Sequence, residues 1–370
     1  MAYFRKRGKK WYFTMYVTNA DGTKKYVERC GGTTKALCER AYREAMAAID
    51  DTGKYEAPVH IKVAEFMDEW LEKEVEINYK SNTIDAYKSI VKKHIKPEFG
   101  KSALYDLTAA MLQDWLNSLK KDKSKSTVKR IHTVLKNAFR WAVVNREYLK
   151  INPMTNVKVP RYDVLPQETP TFTKEQISEI FARFPFEHNF YIPCMLAYHT
   201  GMRLGECLAL QWSDINLSKS EIYVHSTLYD KTGLPTVSKT PKTSRSVRTI
   251  PFDVKLSQIL RRWKVLQEKR SLQYGQYYKK TNFVCTREDG RQMTSNDMRY
   301  FGKWCKENFG YGSFHVFRHT HATQLIEAGI DIDYVSRRLG HSSIVTTVNF
   351  YDKITQQRHD KVKELLEKIL

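Results

Sequence analysis

Four of the chain's eleven prolines fall within eighteen residues, at Pro153, Pro160, Pro166 and Pro170. A proline inside a helix removes a backbone donor, and its ring collides with the preceding turn, so no continuous helix crosses this stretch. The segments on either side must build separate cores. At 370 residues the chain is too long for one typical core, so at least two domains are expected, with three favoured. The expected class is mainly α and multidomain, with small β elements.

On the N-terminal side, Trp-Tyr-Phe-Thr-Met-Tyr-Val at 11–17 alternates as a half-buried strand does, Asn19 to Thr23 carries hairpin turn chemistry, and Lys24 to Val27 forms a second strand. A helix follows from Thr33 to about Asp50, with Thr33 or Thr34 as N-cap and Ala36, Leu37, Ala41, Ala45 and Ala48 along one side. Residues 1–55 therefore read as one small domain whose sheet carries Arg5, Lys6, Arg7, Lys9 and Lys10; taken without the rest of the chain, those charges are better explained as a solvated basic tail on an ordinary hairpin. Residues 52–60, with Gly53 and Pro58, read as a linker. Helical patterns open at Val63 and define a second domain over 60–155. The clearest runs from Ser126 to Tyr148, where Val128, Ile131, Leu135, Ala138, Phe139 and Ala142 share a face and leave Lys129, Arg130, Lys136, Arg140 and Arg146 to solvent or phosphate. Beyond the prolines, helices resume at Lys174, a β-rich interval spans Glu221 to Pro251, and helices return, so 170–370 is a helical domain with a small sheet.

Lysine and arginine number 62 against 41 acidic residues, a net charge of +21 spread along the whole length. That distribution suits a long polyanion, most simply DNA, although charge alone separates DNA poorly from RNA or an acidic membrane surface. The basic N-terminus has no apolar run behind it and no stretch approaches the length of a membrane span, so a cytoplasmic protein is expected. The six cysteines (Cys30, Cys38, Cys194, Cys207, Cys285 and Cys305) show no Cys-x-x-Cys pair and read as reduced thiols.

The C-terminal half holds a constellation of polar residues. Arg203 lies in Thr200-Gly201-Met202-Arg203-Leu204-Gly205-Glu206, His315 and Arg318 in Phe314-His315-Val316-Phe317-Arg318-His319, His341 in Leu339-Gly340-His341, and Tyr351 ten residues later. Attack on a phosphodiester loads charge on the non-bridging oxygens, and preorganised donors aimed there are usually the largest catalytic contribution. Arg203 and Arg318 are the candidate phosphate clamp, since a guanidinium is always charged and meets phosphate bidentately. Glu206, three residues after Arg203, is placed to orient it. Tyr351 is the candidate nucleophile and His315 the base that a phenol with pKa near 10 requires, while His341 donates to the phosphate. Tyr334, the nearest competing tyrosine, precedes the His341 motif and reads as a helix-face residue.

In these motifs the sequence resembles the tyrosine recombinase (phage-type integrase) family. The resemblance implies an N-terminal arm-binding β-sheet domain, a helical SAM-like core-binding domain and an α/β catalytic domain. It also implies a lysine on a β-hairpin that protonates the leaving deoxyribose oxygen. Within Val237 to Pro251, read as that hairpin, Lys242 is the choice and Lys239 an open alternative. The partners implied are double-stranded DNA attachment sites and a homotetramer on DNA, with an accessory DNA-bending protein or excisionase compatible with it. No metal and no cofactor is implied. The stripe Val362, Leu365, Leu366, Ile369 and Leu370 would dock on a neighbouring protomer, or pack on its own domain.

Three rivals stand beside this reading. A metal-dependent relaxase or nickase would use a histidine pair one residue apart, as in His319-Thr320-His321. An architectural DNA-binding protein would share the fold without the chemistry. A type IB topoisomerase would share the chemistry, but an arm-type N-terminal domain favours recombination.

Overall fold

The computed structural model describes residues 3–18, 23–52, 59–162, 170–231, 234–238 and 247–341. The chain divides into two compact units, Met1–Asp163 and Val164–Leu370.

The first unit opens with strands β1 (Tyr3–Arg7), β2 (Lys10–Thr18) and β3 (Lys24–Gly32), an antiparallel sheet in the order β1-β2-β3. The basic stretch before Trp11 is thus itself a strand, one more than the alternation at 11–17 suggested. Phe4 pairs with Phe13 in register, and Phe13, Met15 and Val17 are buried against helix α1 (Lys35–Thr52). Thr34 caps α1, its hydroxyl accepting from the Leu37 amide at 3.3 Å. The packed face of α1 is Cys38, Ala41, Tyr42, Ala45 and Met46. Ala36 and Leu37, expected on that face, are exposed instead. In an alanine-rich helix several faces are equally apolar, and the larger Tyr42 and Met46 decide which one turns inward.

Helix α2 (Val63–Trp70) passes through a π-helical turn (Leu71–Val75) into α3 (Glu76–Asn78), and α4 (Ser81–Ile90) through another (Val91–Ile95) into α5 (Lys96–Phe99). Helices α6 (Ala109–Leu119) and α7 (Lys125–Val144) complete the unit. Val128, Ile131, Leu135, Ala138, Phe139 and Ala142 of α7 are buried as the periodicity requires, together with Val134 and Trp141. The helix stops at Val144 rather than Tyr148 because Glu147 adopts a left-handed φ of 54° and Tyr148 turns back, its hydroxyl donating to Glu69 at 2.9 Å. The first part of the proline segment is not a loose linker. Met154 and Val157 are buried in this core, and the Lys158 backbone is held on both sides by the Gln113 amide.

In the second unit, α8 (Lys174–Arg183) starts at a Thr173–Gln176 capping box, and α9 (Tyr191–Thr200) and α10 (Leu204–Ala209) follow. Strands β4 (Ile215–Asn216), β5 (Glu221–Val224) and β8 (Arg248–Pro251) form one antiparallel sheet, and β6 (Thr227–Lys231) and β7 (Leu234–Ser238) a separate hairpin. Helices α11 (Val254–Tyr274), α12 (Arg299–Phe309), α13 (His315–Glu327) and α14 (Ile332–Leu339) close the described part. A large core around Leu196, Leu208, Ile250, Trp263 and Phe317 holds α9, α10, α11 and α13 together, and Ala322, Ile326, Val335 and Leu339 join α13 to α14.

Candidate active site

The site is built where α9 hands over to α10. Gly201 ends α9 in the left-handed region at φ 69°, and a Cβ there would lie 2.5 Å from Leu339 Cδ2 and 2.8 Å from His321 Cδ2. Only glycine allows both that conformation and that approach of α13 and α14. Arg203 then stands at the N-cap of α10 with Glu206 at the third helical position. The Glu206 carboxylate reaches back to accept from the Arg203 backbone N–H at 2.9 Å and from its Nη1 at 2.8 Å. The expected orienting role of Glu206 therefore rests on a helix cap as well as an ion pair.

The opposite wall is the C-terminal end of α14, where the last carbonyls of a helix lack helical partners and carry partial negative charge. Gly340 takes the left-handed conformation, and the amides of Gly340 and His341 turn back to the carbonyls of Arg337 and Ser336. The next three carbonyls each receive a different arginine. Arg248 Nε donates to Arg338 O at 2.6 Å, Arg318 Nη2 to Leu339 O at 2.7 Å, and Arg203 Nη2 to Gly340 O at 2.9 Å. Arg318 also donates through Nη1 to Gly201 O at 2.8 Å, so one guanidinium ties the ends of α9 and α14 together. His341 follows directly on this stapled turn.

The site is rich in positive charge, with Glu206 as the acidic partner of its arginines. Burial would raise the Glu206 carboxyl, but Arg248, which faces and hydrogen-bonds it, and Arg203 outweigh that and hold its pKa at about 2. Burial lowers Arg318 to about 9, helped by Arg203, and leaves it charged at neutral pH. His341, also buried, is lowered to about 3 by desolvation and then by Arg318 and Arg203. His315 stands on the first turn of α13, three residues before Arg318 and on the same face, with its side chain reaching solvent. Partial desolvation, then Arg318 and Arg203, lower its pKa as well, and its ring meets His319 edge-on at 4.8 Å. Both site histidines are thus neutral at pH 7. Each can accept a proton or donate one hydrogen bond, as the site requires.

Arg203, Glu206, His315, Arg318 and His341 therefore lie in one cluster. Tyr351, Lys239 and Lys242 lie outside the described residues, as does the apolar stripe from Val362 to Leu370. Of the segment Val237 to Pro251, residues 239–246 lie outside the described residues as well; its described ends pair elsewhere, β7 with β6 and β8 with β5. Tyr334 is an exposed residue of α14. The histidine pair proposed for a metal is spent otherwise, because His321 Nδ1 contacts Tyr198 O at 2.9 Å while its Nε2 accepts from Arg338 Nε at 3.1 Å. One residue apart on a helix, His319 and His321 also point to different sides. Sequence reasoning missed Arg248, whose partners lie 42 and 90 residues away along the chain. Its place in Arg-x-Ile-Pro was the available signal.

Away from this cluster, Lys129, Arg130, Lys136 and Arg140 project from the exposed side of α7, whereas Arg146 is engaged by Glu69 at 3.1 Å and lies over Trp141. On the N-terminal sheet Lys6, Lys9 and Lys10 are exposed, while Arg5 and Arg7 both pair with Glu28. The six cysteines are unpaired and all but Cys30 are buried.

Residues 170–358 match the profile of the phage integrase family, and residues 62–120 that of the phage integrase N-terminal SAM-like domain. A protein of Caldanaerobacter subterraneus subsp. tengcongensis named tyrosine recombinase XerC-like is 29% identical across 98% of this chain and 97% of its own length. The ICEBs1 integrase of Bacillus subtilis is 31% identical over 80% of each chain. In fold the chain is similar to the Tn1549 transposon integrase solved in complex with transposon right end DNA, with a TM-score of 0.65 and 22% identity over 82% of this chain and 100% of that one. A lambda integrase tetramer bound to a Holliday junction gives a TM-score of 0.59 and 19% identity over 94% of each chain.

Proposed function

The chain belongs to the phage integrase family, and on that premise we propose that it is a site-specific tyrosine recombinase that integrates and excises a mobile element. Its substrates are double-stranded DNA attachment sites, on which four copies assemble, exchange strands through a Holliday junction and reseal them. The observation that carries this reading is the meeting of Arg203, Arg318, His315 and His341 around the stapled end of α14.

In the proposed reaction the partly exposed guanidinium of Arg203 meets the scissile phosphate, Arg318 adds its charge from beside it, and the N–H of His341 donates to a non-bridging oxygen. Tyr351 Oη attacks phosphorus while neutral His315 takes the phenolic proton. The bond to the 5′ oxygen breaks, and that oxygen takes a proton from Lys242, or from Lys239. A 3′-phosphotyrosine and a free 5′-hydroxyl result. The bond energy is kept in the ester, so a 5′-hydroxyl from the partner duplex reverses the step without ATP, and no metal or nucleotide takes part.

The other parts serve recognition in this reading. Residues 1–55 form an arm-type DNA-binding domain, whose outward sheet face carries Tyr3, Tyr16 and Tyr26 beside Lys9 and Lys10, and 60–155 a core-binding domain that sets Lys129, Arg130, Lys136 and Arg140 against phosphates. The catalytic domain is 170–370, and its tail exchanges between protomers. An accessory DNA-bending protein or excisionase fits the same scheme, in the cytoplasm of a bacterial host.

A duplex drawn from the sequences flanking the gene, nicked beside the cleavage position and incubated in EDTA, tests the proposal. The expected product is a covalent adduct that peptide mapping places on Tyr351 through a 3′-phosphate, and Tyr351→Phe should bind the duplex yet form none. A 5′-linked, metal-requiring adduct would establish a relaxase instead, and binding without any adduct an architectural protein.

A further inference from the structure

We infer that Arg248 is a positioning residue for DNA cleavage, locking Glu206 to the last turn of α14 and so fixing Arg203 and His341 against the phosphate. The inference rests on the recombinase reading above and adds a residue to it.

Arg248 opens β8, whose backbone is paired with β5, so its Cα is held by the sheet rather than by the site. Its side chain is only 7% exposed, against 37% for Arg203, which leaves it no surface for a DNA contact. From there the planar fork makes two kinds of contact at once. Nη2 and Nη1 meet the two Glu206 oxygens at 2.9 and 3.3 Å, and Nε meets Arg338 O at 2.6 Å. Glu206 spends the same two oxygens on the side chain and backbone of Arg203. Arg203 in turn holds Gly340 O, the carbonyl next to His341. The circuit β8, α10, Arg203, α14 therefore closes through Arg248.

Charge leads to the same role. Glu206 faces Arg203 at the start of α10, Arg248 on β8, Arg318 and His315 on α13, and the Cys207 thiol beside it. With Arg248 sharing the carboxylate, the charge of Arg203 is only partly neutralised and stays available to an incoming phosphate. Without Arg248, Glu206 loses the partner that fixes it to β8 and holds it ionised, so its grip on Arg203 weakens and the end of α14 is freed. A lysine keeps the charge but has no planar fork, so it cannot span Glu206 and Arg338 O together.

Arg248→Gln and Arg248→Lys, each first shown to be folded by thermal unfolding, should be compared with the wild type in single-turnover adduct formation on the nicked duplex from pH 5 to 9. Affinity for the same duplex is measured alongside. Arg248→Gln is expected to bind within about threefold of the wild type and to cleave about 100-fold more slowly, as ångström-scale misplacement does. Its rate should also fall on the acid side, where Glu206 now takes a proton, and adding Glu206→Gln should remove that acid limb. Arg248→Lys should be slowed about tenfold without the limb. Cleavage by Arg248→Gln within threefold of the wild type overturns the inference, as does an equal loss of binding and cleavage at every pH. If the wild type forms no adduct, the recombinase reading falls and this inference with it, an outcome separate from either.

Discussion

Arg318 shows how one side chain can be structural and chemical at once. It is 2% exposed, and its charge is satisfied by two backbone carbonyls, Gly201 O and Leu339 O, at the ends of two helices. A buried charge is tolerated only when such groups surround it, and hydrogen bonds to a charged donor are the stronger kind. Lysine concentrates its donors on one nitrogen and cannot hold both carbonyls at the spacing of the guanidinium fork. Arg318→Lys should therefore lower unfolding free energy by roughly 2–4 kcal/mol, one charged hydrogen bond plus an imperfectly solvated ammonium. Urea denaturation with an unchanged m-value checks this. A variant as stable as the wild type would mean that the carbonyl staple contributes nothing to folding.

At the level of elements, the α9–α10 corner depends on Gly201. Gly201→Ala would force a left-handed alanine and push its methyl into Leu339 and His321, contacts of 2.5 and 2.8 Å. Strain and overpacking together should cost about 2–4 kcal/mol. Because Gly201 O anchors Arg318, the variant should also slow adduct formation; urea midpoints and adduct rates read the two effects separately, and an unchanged midpoint would show that the corner relaxes freely. The same corner marks how far the sequence could be read. Helix α7 was legible because large apolar residues recur at helical spacing and nothing competes for its face. The packed face of α1 was legible only in part: Ala41 and Ala45 pack as expected, Ala36 and Leu37 do not, and the Ala48 side chain lies outside the described residues. The motifs holding Arg203, His315, Arg318 and His341 were legible because a phosphate site needs those residue types. Arg248 was hidden because its partners, the Glu206 carboxylate and the Arg338 carbonyl, lie far along the chain, and the pairing of β8 with β5 skips the whole β6–β7 hairpin. Pairing of that kind leaves no local pattern.

For the whole molecule, the neutral histidines of the second unit tie stability to pH. His319, His321 and His341 are lowered to about 4, about 3 and about 3 by burial and then by neighbouring positive groups. An unfolded histidine titrates near 6.5, so below that value the unfolded chain binds protons that the folded one refuses. Their contribution is therefore complete above pH 6.5 and is lost as the pH falls toward the folded values. Glu206 works in a lower window, between its ordinary value of 4.5 and about 2, and stays silent above pH 5. Between pH 7 and pH 5.5 each of the three histidines should thus remove roughly 1 kcal/mol, about 3 kcal/mol together. Urea denaturation at the two pH values, followed by tryptophan fluorescence, measures the difference, and His319→Gln should reduce it by about a third if the three act alike. Equal stability at both values would mean that these imidazoles accept protons freely in the folded protein. The arginine-rich surroundings would then fail to keep His315 neutral, and its assignment as the base for Tyr351 would lose its electrostatic footing.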